Sequence, residues 1–245
     1  MLYKRAPIVE AVIDFHTAFV TPPDLPALEA FARGLRDRFP LIQNINSFEL
    51  SVAADGNGGP VKSNATTEPL GFRLSTEKND RILQVRKHGL AYSHLPPYTD
   101  WDQFLGELRP LWEGYAKVLQ VTSITRVAVR YINRLQVRDG EDIDHYINIA
   151  PRVPQEVSKQ IVGYFAQMVL PAAELGPEYR VIVNSGVEPN ARPNTAGLLL
   201  DIDVFCERAM SVESGDAWRI LDLLRGHKNK IFEASITDKV REMII

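Results

Sequence analysis

The sequence predicts an α+β protein. One antiparallel sheet is built from two similar strand-helix-strands-helix halves, with long helices on one face and an open, charged face opposite. Three observations carry this reading. Several segments alternate apolar and polar residues with period two, the pattern of half-buried strands. Two long segments carry an apolar stripe at helical period, wide enough to cover a sheet face. The polar sides of the strands hold acids and arginines whose burial under a helix layer would cost several kcal/mol each, against a net folding stability of about 5–15 kcal/mol.

In chain order, Val9 to Phe19 places Val9, Ala11, Ile13, Phe15 and Phe19 on one side and Glu10, Asp14 and His16 on the other. Asp24 then caps a helix running to about Arg38, with Leu28, Phe31, Ala32 and Leu35 on its stripe and Pro40 beyond it. Short strands follow around Phe48–Val52, Phe72–Leu74 and Leu83–Val85, with Glu49, Arg73 and Arg86 pointing out, and a further one over Gly89–Leu95. The polar stretch Asp55 to Pro69 reads as an exposed loop. Thr99 caps a long helix in a capping box with Asp102, and its stripe runs from Trp101 through Trp112 to Val118 and Leu119. The second half offers strands at Ile124–Arg138, Tyr164–Leu170, Tyr179–Asn184 and Leu198–Glu207. Between them lie a short helix at Asp142–Ile149 and a loop at Gly186–Gly197. A long helix from Ser214 to Glu233 carries Trp218, Leu221 and Leu224, and a last short one is capped by Thr237. The halves divide at 1–120 and 121–245 and share one continuous sheet. The duplication rests on element order, since no residue-level repeat joins them.

Composition narrows the class. The chain has 245 residues, 45% of them hydrophobic and 24% charged, with a formal net charge of −3. These are globular values that exclude disorder and low complexity. The single cysteine, Cys206, excludes a disulfide framework and is read as inert core. The balance of charge gives no global field to attract nucleic acid or an anionic membrane. No apolar run approaches the roughly 18 residues of a membrane span. The apolar N-terminal stretch is broken by Glu10, Asp14 and His16, unlike a secretion signal. A cytoplasmic protein with no membrane partner is expected.

The most informative segment is Arg126 to Arg138. Val127, Val129, Tyr131, Leu135 and Val137 face the core, while Arg126, Arg130, Arg134 and Arg138 lie on the other side, each about 13 Å from the next. Asn133 interrupts the apolar row and needs a hydrogen-bond partner. Asp201 and Asp203 share one side of a later strand. Two carboxylates so placed, near Glu10 and Asp14, call for cations, so each is expected within reach of Arg126, Arg130 or Arg134. Arginine suits fixed, bidentate recognition. The candidate binding residues are therefore Arg86, Arg126, Arg130, Arg134, Asp201, Asp203 and His16.

Other chemistry is sparse. The five histidines show no metal-ligand spacing. Gly56 to Ser63 approaches a phosphate-binding loop, but Val61 replaces the needed glycine and no helix start follows. The basic tract Arg225-Gly-His-Lys-Asn-Lys230 reads as solvated cations late in a helix, where they favour the dipole. No metal site, cofactor or catalytic set emerges.

Ala6-Pro-Ile-Val-Glu10-Ala, Leu83-Gln-Val-Arg86, Trp101, Arg130-Tyr-Ile-Asn-Arg134, Asp201-Ile-Asp203, Lys228-Asn229 and Ile236-Thr-Asp238 occur in this order. Together they resemble a sporadically distributed prokaryotic family of about this length that has no established activity. The resemblance implies no catalytic residues. The order of elements in each half also resembles the saddle of TATA-binding proteins, an analogy of topology that carries no function. The function expected from the sequence is non-enzymatic binding or assembly, with the charged face engaging a protein partner or a second copy of the chain. An enzyme using Asp201 and Asp203, with or without a metal, is the alternative. Nucleic-acid binding through the arginine row is a further one, disfavoured by the neighbouring acids.

Overall fold

The computed structural model describes residues 3–53, 62–98, 100–154, 156–158, 161–189 and 194–245, and for 48–53 and 62–66 the backbone only. Nine strands form one antiparallel sheet: β1 (Ile8–Phe19), β2 (Leu41–Ala53), β3 (Lys62–Ser75), β4 (Arg81–Arg86), β5 (Gly89–His94), β6 (Val121–Arg138), β7 (Tyr164–Pro171), β8 (Tyr179–Pro189) and β9 (Thr195–Ser211). Their spatial order is β2-β3-β4-β5-β1-β6-β9-β8-β7. β1 pairs with β5 and β6 with β9, and β1 and β6 pair with each other at the sheet centre. Four helices complete the fold: α1 (Leu25–Arg33), α2 (Trp101–Val118), α3 (Asp216–Ser235) and α4 (Asp238–Ile244).

The helices build on one side of the sheet because that side is apolar. Ala11, Ile13 and Phe15 of β1 and Val127, Val129 and Tyr131 of β6 are buried there. The Phe15 ring meets Trp112 of α2 at 4.5 Å and Trp218 of α3 at 5.8 Å, and Phe31 of α1 meets Tyr115 of α2 at 5.8 Å. Trp101 and Trp112 are buried as their stripe predicts. Trp218 is only half-buried, and the Arg109 guanidinium covers its ring at 4.2 Å. Cys206 is fully buried. Asn133, buried in the apolar row, donates to the carbonyls of Leu200 and Tyr131.

A polar hub also fastens α2 to the sheet. Glu107 accepts from the Tyr92 hydroxyl at 2.6 Å, His94 Nε2 at 3.1 Å, Arg81 Nε at 3.1 Å and Gln103 Nε2 at 2.8 Å. Burial raises the Glu107 pKa, but these donors and the His94 and Arg81 charges outweigh it and bring it down to about 2. Burial, with the Arg81 charge, lowers His94 to about 4. His94 is therefore neutral at neutral pH and donates its Nε2–H.

Several expected boundaries move. α1 stops at Arg33, where Gly34 forms the C-cap, and 34–38 continue as turns. β2 begins at Leu41, directly after Pro40. Lys62–Pro69, expected as loop, belongs to β3, where it pairs in register with Asn46–Ala53 of β2; its run of polar residues carries no apolar alternation. Residues 54–61, including most of the near phosphate-binding loop, lie outside the described residues, as do Thr99 and the inward side chains expected at 48–52. The observed cap of α2 is Asp100, which accepts from the Gln103 N–H. Val118 is exposed at the edge of the stripe, although Leu119 beyond it is buried in the core. The Asp142–Ile149 helix is a single 3-10 turn, Ile143–His145, capped by Asp142. The Gly186–Gly197 loop is largely strand: β8 runs to Pro189 and β9 starts at Thr195, so Glu188 pairs with Gly197. Thr237 precedes α4 but makes no side-chain cap; its hydroxyl bonds the His145 carbonyl instead.

Candidate functional site

On the side away from the helices, the sheet presents its charges in two linked clusters and one outlying pair. The first cluster centres on Asp14 of β1. Its neighbours in register are Ala91 of β5 and Ala128 of β6. These small side chains leave a concavity of about 310 Å³ into which long arms reach from both sides. Arg86 pairs closely with Asp14 Oδ1. Arg126 lies 3.7 Å from Asp14 Oδ2 and donates to Asp203 Oδ2 at 3.1 Å. Arg126 reaches Asp203 by lying across the Phe205 ring, 4.3 Å from its centroid, over the gap that Ala128 leaves opposite Phe205. His16 shares this side with Asp14, as its position predicts, at 3.6 Å.

The second cluster centres on Asp201 of β9, only 3% exposed. Arg130 stands opposite Asp203 in register but takes the diagonal residue, donating Nε to Asp201 Oδ1 at 2.8 Å and Nη2 to Oδ2 at 2.6 Å. Asn184 of β8 donates to Asp201 Oδ2 at 2.8 Å, and Gln167 of β7 donates to Asn184 Oδ1 at 2.8 Å. One polar chain thus crosses four strands, from β6 to β7. Arg134 stands apart from both clusters. It pairs with the half-exposed Glu188 at 2.8 Å and lies over Gly197, where a Cβ would approach its Nε to 2.9 Å.

Asp14 and Asp203, both joined to Arg126, are shifted in opposite directions. Burial raises Asp14, but the contact with His16 and the charges of Arg86, His16 and Arg126 outweigh it and hold Asp14 below its ordinary value. Burial also raises Asp203; Arg126 and Arg130 only partly offset that, and the nearby Asp14 adds to it, so Asp203 sits above its ordinary value. Asp203 Oδ1 is buried and has no hydrogen-bond partner.

The expected pairing of Asp201 and Asp203 with the arginine row is therefore present, with a different arginine on each acid. That division bears on the alternative chemistry. Asp201 has both oxygens engaged. Asp203 engages Oδ2 with Arg126, and its Oδ1 is buried at the edge of the concavity. The described residues hold no group of three or more side chains able to ligate a metal.

No protein-family model, curated protein or solved structure matches the chain. Among the described residues, no helix is long and apolar enough to cross a membrane.

Sequence reasoning found the charged members of this face other than Glu188 and missed its polar and apolar ones. Asn184 and Gln167 fall at outward positions of their strands, a signal that was readable. Glu188 and Gly197 were hidden by the loop reading. Phe205, Phe165 and Val169 are apolar residues on the open side. Val169 aligns across β8 and β9 with Ile182 and Asp203, and Phe165 with Gly186 and Leu199. Phe165 is 68% and Val169 60% exposed. Lys228 requires the opposite correction. The helix carrying the basic tract runs on to Ser235, and Lys228 faces the core side, buried, instead of standing in solvent near a helix end.

Proposed function

We propose that the protein is a non-enzymatic assembly module whose open sheet face seats a second copy of the chain. The observation that carries this is the exposure of Phe165 and Val169 on the same face as a charge lattice that is already neutralised within one chain. A solvated antiparallel sheet face tends to be polar throughout. Large exposed apolar side chains on such a face are what a partner would cover.

The charges favour a second copy over nucleic acid. An isologous contact sets a patch against itself, so a patch of one sign would repel its partner. Here Arg86, Arg126, Arg130 and Arg134 are each matched by Asp14, Asp203, Asp201 or Glu188. The same matching leaves the arginine row little charge to neutralise phosphates, which is the main source of affinity for nucleic acid.

The test compares Phe165→Asp with Val118→Asp, which alters an equally exposed apolar residue on α2 in the helix layer. An aspartate in place of an apolar side chain that the partner covers should weaken association at least about a hundredfold, the scale of an interface hot spot. Val118→Asp should leave it unchanged. Equal effects of the two variants on sedimentation would place the contact elsewhere.

A further inference from the structure

On the helix-bearing side, a cavity of about 370 Å³ lies between the N-terminal segment, the turn leading into α2, the middle of β6, and α3. Lys228 of α3 lines it. The residue is 7% exposed, and its ammonium nitrogen lies 3.7 Å from the centroid of the Tyr131 ring on β6. The Tyr131 hydroxyl is fixed in turn at 2.6 Å from that of Tyr98. Arg225, one turn earlier on α3, lies over the Trp101 ring at 5.3 Å. Among the described residues neither cation has a carboxylate partner.

The acids at and beside the cavity are committed elsewhere. Asp222, one turn before Arg225 on α3, accepts from the Trp101 indole N–H at 2.7 Å. Asp100 caps α2 through the Gln103 N–H at 2.8 Å. Glu233 accepts from the Tyr3 hydroxyl at 2.9 Å and from Arg241 at 3.3 Å. The N-terminal segment adds only cations, the exposed Lys4 and Arg5. The cavity is therefore electropositive, with one ammonium group buried and uncompensated. Burying a charge without a counter-ion is costly unless something supplies the opposite charge. Burial, aided by Arg225 and only partly opposed by Glu233, lowers Lys228 to about 7.

We propose that this cavity binds a small organic monocarboxylate with a ring-sized apolar body, its carboxylate held between Lys228 and Arg225 and its body against Tyr98, Trp101 and Phe232. The planar guanidinium matches a carboxylate. The aromatic wall suits an apolar body, and the volume falls within the range of small-molecule sites. A single negative charge neutralises the one buried ammonium group. A phosphate dianion would bring a second charge and a heavier dehydration cost into an aromatic site.

The experiment is calorimetric titration of the full chain with benzoate, phenylacetate and inorganic phosphate. The aromatic carboxylates should bind and phosphate should not. Lys228→Met should weaken binding at least tenfold while keeping or raising the melting temperature, since it removes a buried charge. Affinity should fall about tenfold per pH unit above the Lys228 pKa of the free protein, because the bound anion holds the amine protonated. If Lys228→Met does not fold, Arg225→Gln supplies the same comparison. The 13C signal of the labelled Lys228 side chain in the unaltered protein then reports the upward shift of its titration with benzoate. Binding of phosphate as tight as benzoate, no binding at millimolar concentration, unchanged affinity in the variant, or no pH dependence overturns the proposal.

Discussion

Glu107 and His94 show how single residues set the acid limit of this fold. His94 has its pKa lowered to about 4 from an ordinary 6.5, and Glu107 to about 2 from 4.5. For each group the unfolded chain binds the proton more readily than the native one, so stability is lost as pH falls. The His94 contribution is complete above about pH 6.5 and is lost from there down to about 4; the Glu107 contribution goes between about 4.5 and 2. Melting temperature should therefore begin to drop just below pH 6.5. In His94→Phe, which keeps the ring packing against Phe104, the drop between pH 6.5 and 4 should shrink to the part contributed by His88, which burial and the Arg86 charge also hold below its ordinary value. An undiminished drop in that variant would show that His94 does not carry it. At this scale the sequence was informative where charge broke a strand period. Asp14, Arg126, Arg130, Asp201 and Asp203 were found because an outward charge in an alternating strand has few places to go. Lys228 was misread because a lysine in a polar helix tract looks solvated, and only the tertiary position of α3 reveals that its amine enters a cavity. Glu107 gave no signal either, since its partners come from β4, β5 and the turn after α1.

Elements with a long, clean period were the most legible. β1, α2, β6 and α3 were found within a few residues of their observed limits because each presents a strong one-sided pattern to the core. The far ends of two hairpins were not: Lys62–Pro69 looks like loop because its residues are polar, and Gly186–Gly197 because of its prolines and asparagines, although β3 pairs with β2 and β8 with β9 there. The long helices owe their position to burial of aromatic rings. Trp112 packs on Phe15 at 4.5 Å and stacks near Tyr115 at 6.0 Å. Trp112→Ala should cost about 3–5 kcal/mol through lost transfer energy and the cavity left behind, measured by urea unfolding. A cost below about 1 kcal/mol would mean that α2 is not anchored by this contact. Glycine matters at one turn of this architecture. Gly89 adopts φ +156°, and a Cβ there would sit 1.9 Å from the Phe15 carbonyl oxygen, so the close approach of β5 to β1 needs its bare backbone.

At the scale of the whole molecule, one apolar side is thickly covered by helices and the other is left open. The sheet tolerates this because its outward charges neutralise one another within the chain, through Asp14, Arg126 and Asp203 near the centre and Arg130, Asp201 and Asn184 beside them. Asp201 is buried in a single copy, so its pairing with Arg130 contributes to the fold whether or not a partner is present. Among the described residues, Phe165 and Val169 leave large apolar side chains exposed on this face. The most direct test of the assembly reading is sedimentation equilibrium of the unaltered protein over a range of micromolar concentrations at physiological salt. The account predicts a reversible dimer of twice the 27.6 kDa chain mass. A mass equal to one chain at every concentration would contradict it and leave the charged face as a solvated surface.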